Sequence, residues 1–293
     1  MDKRIAAVVV TYNRKDTLLR CIDALLAQSV PADVLVVDNA STDGTADAIA
    51  SRLGERVRYH NTGANLGGAG GFQYGVRLAV QEGYDLLWLM DDDCIPEPTA
   101  LAALLDADNE LAGDYGFLSG MAYWRDGNLC NMNIQKTGIK SKIEDLTSPI
   151  VPVMMATFVS VLIPAEKVRQ VGLPIKEFFI WSDDLEYTRR LSRQYPCYAV
   201  TGSRVLHDMH SNDKVHIATD SADRLGRYAY LYRNEVYVYR REGIKGWLYL
   251  IPRVCLHLLK VLLKSDHKWQ KMKTILSSFF AGFSFNPEIE YVD

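Results

Sequence analysis

An apolar run ends in three consecutive carboxylates at Leu86-Leu87-Trp88-Leu89-Met90-Asp91-Asp92-Asp93. Burying unpaired carboxylates costs too much free energy, so the triplet must lie where a buried strand leaves the core. Side chains alternate along extended backbone, which predicts that Asp91 and Asp93 point the same way and Asp92 the other. Asp91 and Asp93 could then hold one hard divalent cation, Mn²⁺ or Mg²⁺. The alternative is a solvated acidic turn.

Three further polar clusters follow apolar runs earlier in the chain. Residues 5–10 and 34–37 are runs of the kind found in strands buried on both faces. The polar clusters are Thr11 to Arg14, Asp38 and Asn65 to Gly71. Strands that alternate with helical patterns predict right-handed βαβ units and a parallel sheet. Ligands of such sheets bind beyond the carboxyl ends of the strands, so we expect all four clusters to face one site.

The third cluster is rich in glycine and reads Asn65-Leu66-Gly67-Gly68-Ala69-Gly70-Gly71. We expect a loop here, followed by a helix from about residue 72 to 82. Glycine lets the backbone approach a ligand closely, and a helix N-terminus favours anions. A G-x-G-x-x-G fingerprint fails because Gln73 takes the sixth position from Gly68, and no Walker lysine follows. A flexible turn is the alternative.

Composition excludes several classes of protein. The 293-residue chain has a net charge of −3, which argues against a dedicated nucleic-acid binder. Its five scattered cysteines lack a CxxC spacing, which favours free thiols in a reducing cytosolic compartment. No run of eighteen uncharged apolar residues occurs, so we expect no ordinary transmembrane helix. The chain becomes helical, aromatic and basic beyond about residue 220, which suggests two parts, 1–220 and 221–293.

The second part is strongly basic between residues 240 and 273, where nine Lys or Arg residues stand against Glu242 and Asp266. Arg253, His257, Lys260 and Lys264 recur at the spacing of one helical face. A basic amphipathic helix suits an anionic membrane surface, so we expect residues 244–273 to lie on one. A helix packed on the rest of the chain, or a homo-oligomer contact, is the alternative.

Four motifs in the first hundred residues resemble those of family 2 inverting glycosyltransferases. They are V-V-V-T-Y-N-R at residues 8–14, V-V-D-N-A-S-T-D-G-T at 36–45, N-L-G-G-A-G-G-F at 65–72 and W-L-M-D-D-D at 88–93. Residues 179–187, His207 and residues 232–234 extend the resemblance to about residue 235. It implies a GT-A fold, Rossmann-like α/β with a mostly parallel central sheet flanked by helices, here with a helical C-terminal extension.

The resemblance also implies roles for individual residues. A nucleotide-sugar donor would contact Thr11, Asn13, Arg14, Asp38, Asn65, Gly67, Gly68, Gly71 and Asp92. A divalent metal would be held by Asp91, Asp93 and His207. The catalytic base of an inverting transfer would be Asp184 or Asp183, with Asp184 favoured. Aspartates that begin a helix also stabilise its N-terminus, and this is the alternative for at least one of the two.

Within the family the sequence looks most like galactofuranosyltransferases, and rhamnosyltransferases come second. We therefore expect transfer of galactofuranose from UDP-galactofuranose to a polyprenyl-linked saccharide, by a protein on the cytoplasmic face of the cell membrane. The alternatives are transfer from a dTDP-rhamnose donor and a non-catalytic nucleotide-sugar-binding protein. Trp181 and Trp124 are candidate platforms for the acceptor sugar, with core packing as the alternative for both. Ser182 separates Trp181 from the aspartate pair, a departure from the galactofuranosyl polymerases.

Overall fold

The structure is a computed structural model and describes residues 3–213 and 216–292. Its centre is a nine-stranded sheet with the order β3-β2-β1-β4-β8-β6-β9-β5, and β7 pairs with β9. The strands are β1 (Ile5–Thr11), β2 (Asp33–Asp38), β3 (Val57–Asn61), β4 (Leu86–Asp91), β5 (Cys94–Pro96), β6 (Leu118–Tyr123), β7 (Ile150–Pro152), β8 (Val161–Pro164) and β9 (Tyr198–His207).

The first four strands are parallel neighbours, as the sequence predicts. Thr11 pairs with Asp38, Asp38 pairs with Asn61, and Val10 pairs with Asp91, so these strands end level with one another. The polar clusters that follow them therefore meet at one edge of the sheet. Beyond β4 the sheet is mixed, because β8 runs antiparallel to β4 and to β6.

Nine helices flank or extend the sheet within the described residues. They are α1 (Lys15–Leu26), α2 (Thr45–Ile49), α3 (Gly67–Gln81), α4 (Ala100–Glu110), α5 (Ala165–Val171), α6 (Asp183–Ser192), α7 (Leu225–Arg240), α8 (Gly243–Lys264) and α9 (Lys268–Ser284). One core lies between the sheet and α3, and a second lies between the sheet, α1 and α4. Alternate residues of β1, such as Val8 and Val9, enter opposite cores, which explains the continuous apolar run.

The glycine-rich stretch is a helix start and not the predicted loop, since α3 begins at Gly67. The glycines bring this helix close to the sheet. A Cβ added at Gly71 would lie 2.5 Å from Val10 Cγ1, and one added at Gly75 would lie 2.4 Å from Val8 Cγ1. These distances are too short for any real side chain, so close helix packing accounts for both glycines.

The C-terminal helices pack against one another around α7. Arg253 of α8 forms a 2.9 Å ion pair with Glu235, and His257 Nδ1 lies 2.8 Å from the hydroxyl of Tyr232. Arg253 and His257 of the predicted basic stripe thus face α7, whereas Lys260 and Lys264 are exposed. The membrane contact of residues 244–273 stays a prediction. The division of the chain near residue 220 stays a prediction.

The last residues return to the first part of the chain. Leu173 N–H donates to the carbonyl of Glu290 at 2.8 Å, and the Glu290 carboxylate pairs with both Arg77 and Lys176 at 2.5 Å. Val292 is buried in the core beside α3. The segment after α9 therefore closes back onto the sheet domain.

The outer surfaces of α8 and α9 form an exposed apolar surface, called here the α8–α9 face. Its exposed members are Ile244, Leu248, Ile251, Leu259, Leu262, Leu263, Trp269, Leu276, Phe280 and Phe283. By length and composition alone, α8 could cross a membrane, with a mean hydropathy of 1.5 in its most apolar window. The sequence rule of eighteen uncharged apolar residues missed it because charges such as Arg253 interrupt the run.

We expect Gly75→Ala to destabilise the protein by about 1–3 kcal/mol, because its methyl group would overlap Val8 Cγ1 and Val37 Cγ2. The free energy of unfolding from urea titration measures the effect. Gly68→Ala is the matched control on the same helix, since no atom lies within 4 Å of its added Cβ. That control should be neutral or slightly stabilising, and equal losses in both variants would contradict the packing explanation.

Candidate active site

A cleft of about 1020 Å³ opens at the carboxyl ends of β1, β2 and β4. Most of the residues singled out from the sequence line it together, although they are spread over nearly 200 positions. They are Thr11, Arg14, Asn65, Gly67, Gly68, Asp91, Asp92, Asp93, Trp181, Asp183, Asp184 and His207. The level ends of the parallel strands explain why the early clusters converge here.

Four of the predicted site residues are not part of the cleft lining. Asp38 is fully buried and accepts hydrogen bonds from the Ser41 and Tyr59 hydroxyls at 2.6 and 2.5 Å. Burial together with this carboxylate raises the pKa of Tyr59 to about 12. Both carboxylate oxygens of Asp38 thus accept hydrogen bonds from side chains of the protein. The neighbouring Asn39 lines the cleft, and Asp38 does not.

The other three residues also have structural partners. The Asn13 amide oxygen accepts from the Thr42 N–H at 2.7 Å, which holds the loop after β2 against the loop after β1. Gly71 packs on Val10, as described above. Trp124 donates from its ring N–H to the Met209 carbonyl at 3.1 Å and packs on the core beside α1 and α4. Core packing, the alternative for this tryptophan, is what the structure has.

The acidic triplet does not alternate as extended backbone would. The strand ends at Asp91 and the backbone turns at Asp92 and Asp93, so the two turn carboxylates reach the same partner. Arg14 Nη1 lies 3.0 Å from Asp92 Oδ1 and 2.7 Å from Asp93 Oδ2, and the Thr11 hydroxyl donates to Asp92 Oδ2 at 2.7 Å. Burial nevertheless raises the pKa of Asp92 to about 6, against the lowering effects of Arg14 and Thr11.

His207 comes to the triplet from the end of β9, which pairs with β5 directly after it. Its Nε2 lies 3.1 Å from Asp93 Oδ1, and its Nδ1 lies 3.0 Å from the amide oxygen of Asn133. The Asn133 amide nitrogen donates to Thr157 at 2.9 Å, so its oxygen must face the ring and accept the Nδ1 proton. In a neutral imidazole, Nε2 and Asp93 Oδ1 would then direct lone pairs into the same space.

That arrangement fits a bound cation. Within residues 3–213 and 216–292, one group of potential ligand atoms lies within 4.8 Å of one another, from Asp93, Cys94 and His207. Asp91 falls outside this group, so the predicted set of Asp91, Asp93 and His207 stays a prediction. The carboxylate of Asp93 suits Mn²⁺ or Mg²⁺, and the imidazole of His207 favours a transition metal such as Mn²⁺ over Mg²⁺. Asn133, which orients the imidazole, is a lone polar residue in a loop and gave no signal in the sequence.

Negative charge accumulates in the cleft beyond what the neighbouring cations offset. Burial and the carboxylates of Asp93 and Asp92 raise the pKa of Asp91 well above its usual range, and Asp183 and Asp184 add to the rise. Burial also raises the pKa of Asp93, but His207, when it is protonated at Nε2 as well, and Arg14 outweigh burial and lower that pKa below its usual value. A divalent cation in the cleft would relieve the repulsion among these groups.

Asp183 and Asp184 begin α6, opposite the triplet. Burial raises the pKa of both, and the neighbouring Asp184 carboxylate raises that of Asp183 further. The Asp184 carboxylate accepts from the Leu185 N–H at 2.6 Å, and Lys136 also lowers its pKa. Asp184 therefore ionises more readily than Asp183, so the pair can hold one proton and still present one free carboxylate.

The backbone before this pair is strained. Phe179, Trp181 and Ser182 all adopt left-handed conformations, with φ angles of 61°, 67° and 67°. None of them is glycine, and each such residue costs free energy that its surroundings must offset. Strain of this kind concentrates at functional sites, and here it immediately precedes two buried carboxylates.

The family model for "Glycosyl transferase family 2" matches residues 6–159, which is more than half of the chain. The chain belongs to this family. The family 2 motifs and the fold class predicted from the sequence are thereby confirmed, and the protein is a glycosyltransferase. The matched region holds β1 to β7 and the acidic triplet, but it ends before Asp183, Asp184 and His207.

Named relatives extend the similarity. Galactofuranosyltransferase GlfT1 of Mycobacterium tuberculosis is 27% identical over 289 residues, covering 86% of this chain and 91% of the relative. Undecaprenyl-phosphate mannosyltransferase of Micrococcus luteus is 37% identical over 108 residues, covering 36% of this chain and 44% of the relative. The solved structure of mannosyltransferase PcManGT from Pyrobaculum calidifontis, in complex with GDP-Man and Mn²⁺, aligns with a TM-score of 0.56 at 15% identity, covering 98% of this chain and 77% of that one. At that identity the structural likeness shows the fold alone.

We expect Asp183→Asn to stabilise the folded protein at pH 8 by on the order of 1 kcal/mol. The folded protein holds the Asp183 proton to a higher pH than the unfolded chain does, because the pKa is raised on folding. Stability must therefore fall as pH rises from about 4 toward 8, and the asparagine variant lacks this fall. Melting temperatures of both proteins between pH 5 and pH 8 measure it. A gap that stays constant or narrows with rising pH would contradict the buried-charge argument.

Proposed function

We propose that this glycosyltransferase moves galactofuranose from UDP-galactofuranose to a saccharide, with inversion at the anomeric carbon. One observation carries the proposal. The similarity to a galactofuranosyltransferase covers 86% of this chain and 91% of the relative, so it reaches past the family 2 region into the part that holds Asp183, Asp184 and His207. A polyprenyl-linked acceptor is part of the proposal, and the name of the mannosyltransferase relative, which includes undecaprenyl phosphate, supports it.

The donor diphosphate is proposed to lie between the start of α3 and the acidic triplet. The first-turn N–H groups of a helix attract anions, and Gly67 and Gly68 line the cleft there. The Asn39 amide fixes this turn by donating to the Gly67 carbonyl at 2.9 Å. Arg14 supplies a positive charge on the other side. Asp91, Asp93 and His207 would hold Mn²⁺ or Mg²⁺, which when bound offsets negative charge on a departing diphosphate.

The carboxylate pair on α6 is proposed to supply the base. The acceptor hydroxyl attacks the anomeric carbon from the face opposite the diphosphate, and Asp184 takes its proton. The bond between the anomeric carbon and the diphosphate oxygen breaks, and the bonding electrons leave with the diphosphate. Asp183, with the higher pKa, keeps its proton while Asp184 is ionised. Trp181 packs edge-on against Tyr228 at 5.1 Å and lines the cleft beside the pair, where it can support a sugar ring.

The expected result is that the purified protein with Mn²⁺ releases UDP from UDP-galactofuranose when a galactan-type acceptor is present. Release should fall at least tenfold with EDTA and return when Mn²⁺ is restored. Coupled detection of nucleoside diphosphate measures it, with UDP-galactopyranose and dTDP-rhamnose as matched donors. Turnover of dTDP-rhamnose with UDP-galactofuranose inert would replace the proposed donor. No turnover with any donor, despite nucleotide binding, would favour a binding protein.

We also propose that the α8–α9 face rests on the cytoplasmic surface of the cell membrane. Leucine and aromatic side chains cover the face, and exposed lysines lie among or beside them, at Lys245, Lys260, Lys264, Lys268 and Lys273. Such a surface suits anionic lipid headgroups above an apolar layer. The inner side of α8 carries Arg253 and His257 onto α7, so the helix is expected to lie in the membrane plane and not to cross it.

The double variant Leu248→Asp with Leu259→Asp should weaken binding to phosphatidylglycerol vesicles at least tenfold. It places two negative charges among the apolar side chains that are proposed to enter the lipid, and the headgroups are themselves anionic. Vesicle cosedimentation measures the binding, and turnover of a water-soluble acceptor should stay unchanged. Leu53→Asp, at an exposed leucine outside this face, is the matched control. A variant that still binds vesicles normally but loses a dimer on gel filtration would assign the face to a homo-oligomer contact.

A further inference from the structure

The segment from residue 177 to 182 connects the sheet domain to the start of α6. It contains the three left-handed residues described above, so its backbone cannot hold this shape by local preference alone. It also sets where Asp183 and Asp184 stand, because they follow it directly. What holds the segment therefore decides the position of the proposed base.

Asn234 of α7 is completely buried and directs its side-chain amide at this segment. The amide nitrogen lies 3.0 Å from the Phe178 carbonyl, 3.2 Å from the Ile180 carbonyl and 2.9 Å from the Trp181 carbonyl. Its two hydrogens are thus shared among three acceptors on the strained backbone. One side chain gathers the carbonyls on both sides of the left-handed turn.

Neighbours on α7 fix the orientation of that amide and add further contacts to the segment. Arg233 donates to the Asn234 amide oxygen at 2.9 and 3.0 Å, which leaves the amide nitrogen facing the carbonyls. The same guanidinium donates to the Glu177 carbonyl at 2.5 Å. Tyr230 stacks on the ring of Phe179 with centroids 4.9 Å apart.

The other side of the segment contacts the start of α3. The Ala69 N–H donates to the Phe179 carbonyl at 3.1 Å. Gly67 approaches so closely that an added Cβ would lie 2.1 Å from the Phe179 carbonyl oxygen. The segment is therefore held between α7 on one side and the proposed donor-binding turn on the other.

We propose that Asn234 is a positioning residue for sugar transfer. It holds residues 178–182 in their strained conformation and thereby fixes Asp184 relative to the donor bound at α3. The inference rests on the proposed function, in which Asp184 takes the acceptor proton. Transfer requires that carboxylate within hydrogen-bond reach of the attacking hydroxyl, and a misplacement of about 1 Å can cost on the order of a hundredfold in rate.

The test is Asn234→Asp, which keeps the shape of the side chain but replaces a donor of two hydrogens by an acceptor. We expect kcat for transfer to fall about a hundredfold, with the Kd for UDP and Mn²⁺ and the KM for the donor within twofold of wild type. Calorimetric titration of UDP with Mn²⁺ counts the competent sites, so the rate is expressed per folded site. Arg233→Lys is the second variant, because lysine lacks the planar guanidinium that orients the Asn234 amide through two hydrogen bonds. It should also lower kcat, by a smaller factor, and it tests the inference if Asn234→Asp does not fold.

The matched control is Gln28→Glu, which makes the same amide-to-acid change at another buried side chain that donates to backbone carbonyls. Gln28 is buried and its amide nitrogen donates to the Ala24 and Glu97 carbonyls at 3.1 and 2.9 Å, away from the cleft. This variant should lose stability but keep its kcat per folded site. A kcat per folded site within twofold of wild type for Asn234→Asp would overturn the inference, as would an equal loss in the control.

Failure of the base assignment would look different. If Asp184→Asn and Asp183→Asn each transfer at the wild-type rate, then the proposed base is wrong and positioning by Asn234 falls with it. If Asp184→Asn abolishes transfer with UDP binding intact while Asn234→Asp is fully active, then the base stands and only the positioning role is lost.

Discussion

Uncompensated negative charge at the carboxyl edge of the sheet is the constraint on which this molecule depends. The parallel register of β1, β2 and β4 forces Asp91, Asp92 and Asp93 to one place, and α6 brings Asp183 and Asp184 to the same cleft. Arg14 offsets part of that charge, and burial together with the neighbouring carboxylates raises the pKa of Asp91, Asp92 and Asp183. In the proposed reaction, this excess would give a divalent ion a place to bind beside the donor diphosphate. Repulsion among these carboxylates lowers the stability of the fold, and it does so at the cleft proposed to carry out the reaction.

The sequence predicted the parallel half of the fold well, and the physical reason is local. Each of those strands is a short run of apolar residues followed at once by polar residues, so both its existence and its functional end can be read directly. The mixed half beyond β4 carried no such signal. Strands such as β7 and β8 are only three or four residues long, and their pairing partners lie far away in the chain.

The structure brings most of the clusters singled out from the sequence to one cleft, whereas the surroundings of single residues could not be read from the sequence. The turn at Asp92 and Asp93 broke the alternation rule, since that rule assumes extended backbone. Trp124 and Asp38 have the residue types expected at a sugar site, yet tertiary hydrogen bonds use them elsewhere. Asn133 and Asn234 each act through one amide group on a partner more than fifty positions away. Contacts of that kind have no sequence period, so only the folded structure reveals them.

The return of the chain end to the sheet domain restrains the C-terminal helices. Residues beyond α9 bind beside α3 and α5 through Glu290 and Val292, so the three C-terminal helices are anchored at both of their ends. Helices held at both ends are less free to move relative to the sheet domain than helices held at one end. If the α8–α9 face rests on a lipid bilayer as proposed, a tilt imposed on these helices would therefore reach the sheet domain, and the depth of the protein in the membrane would bear on the shape of its cleft.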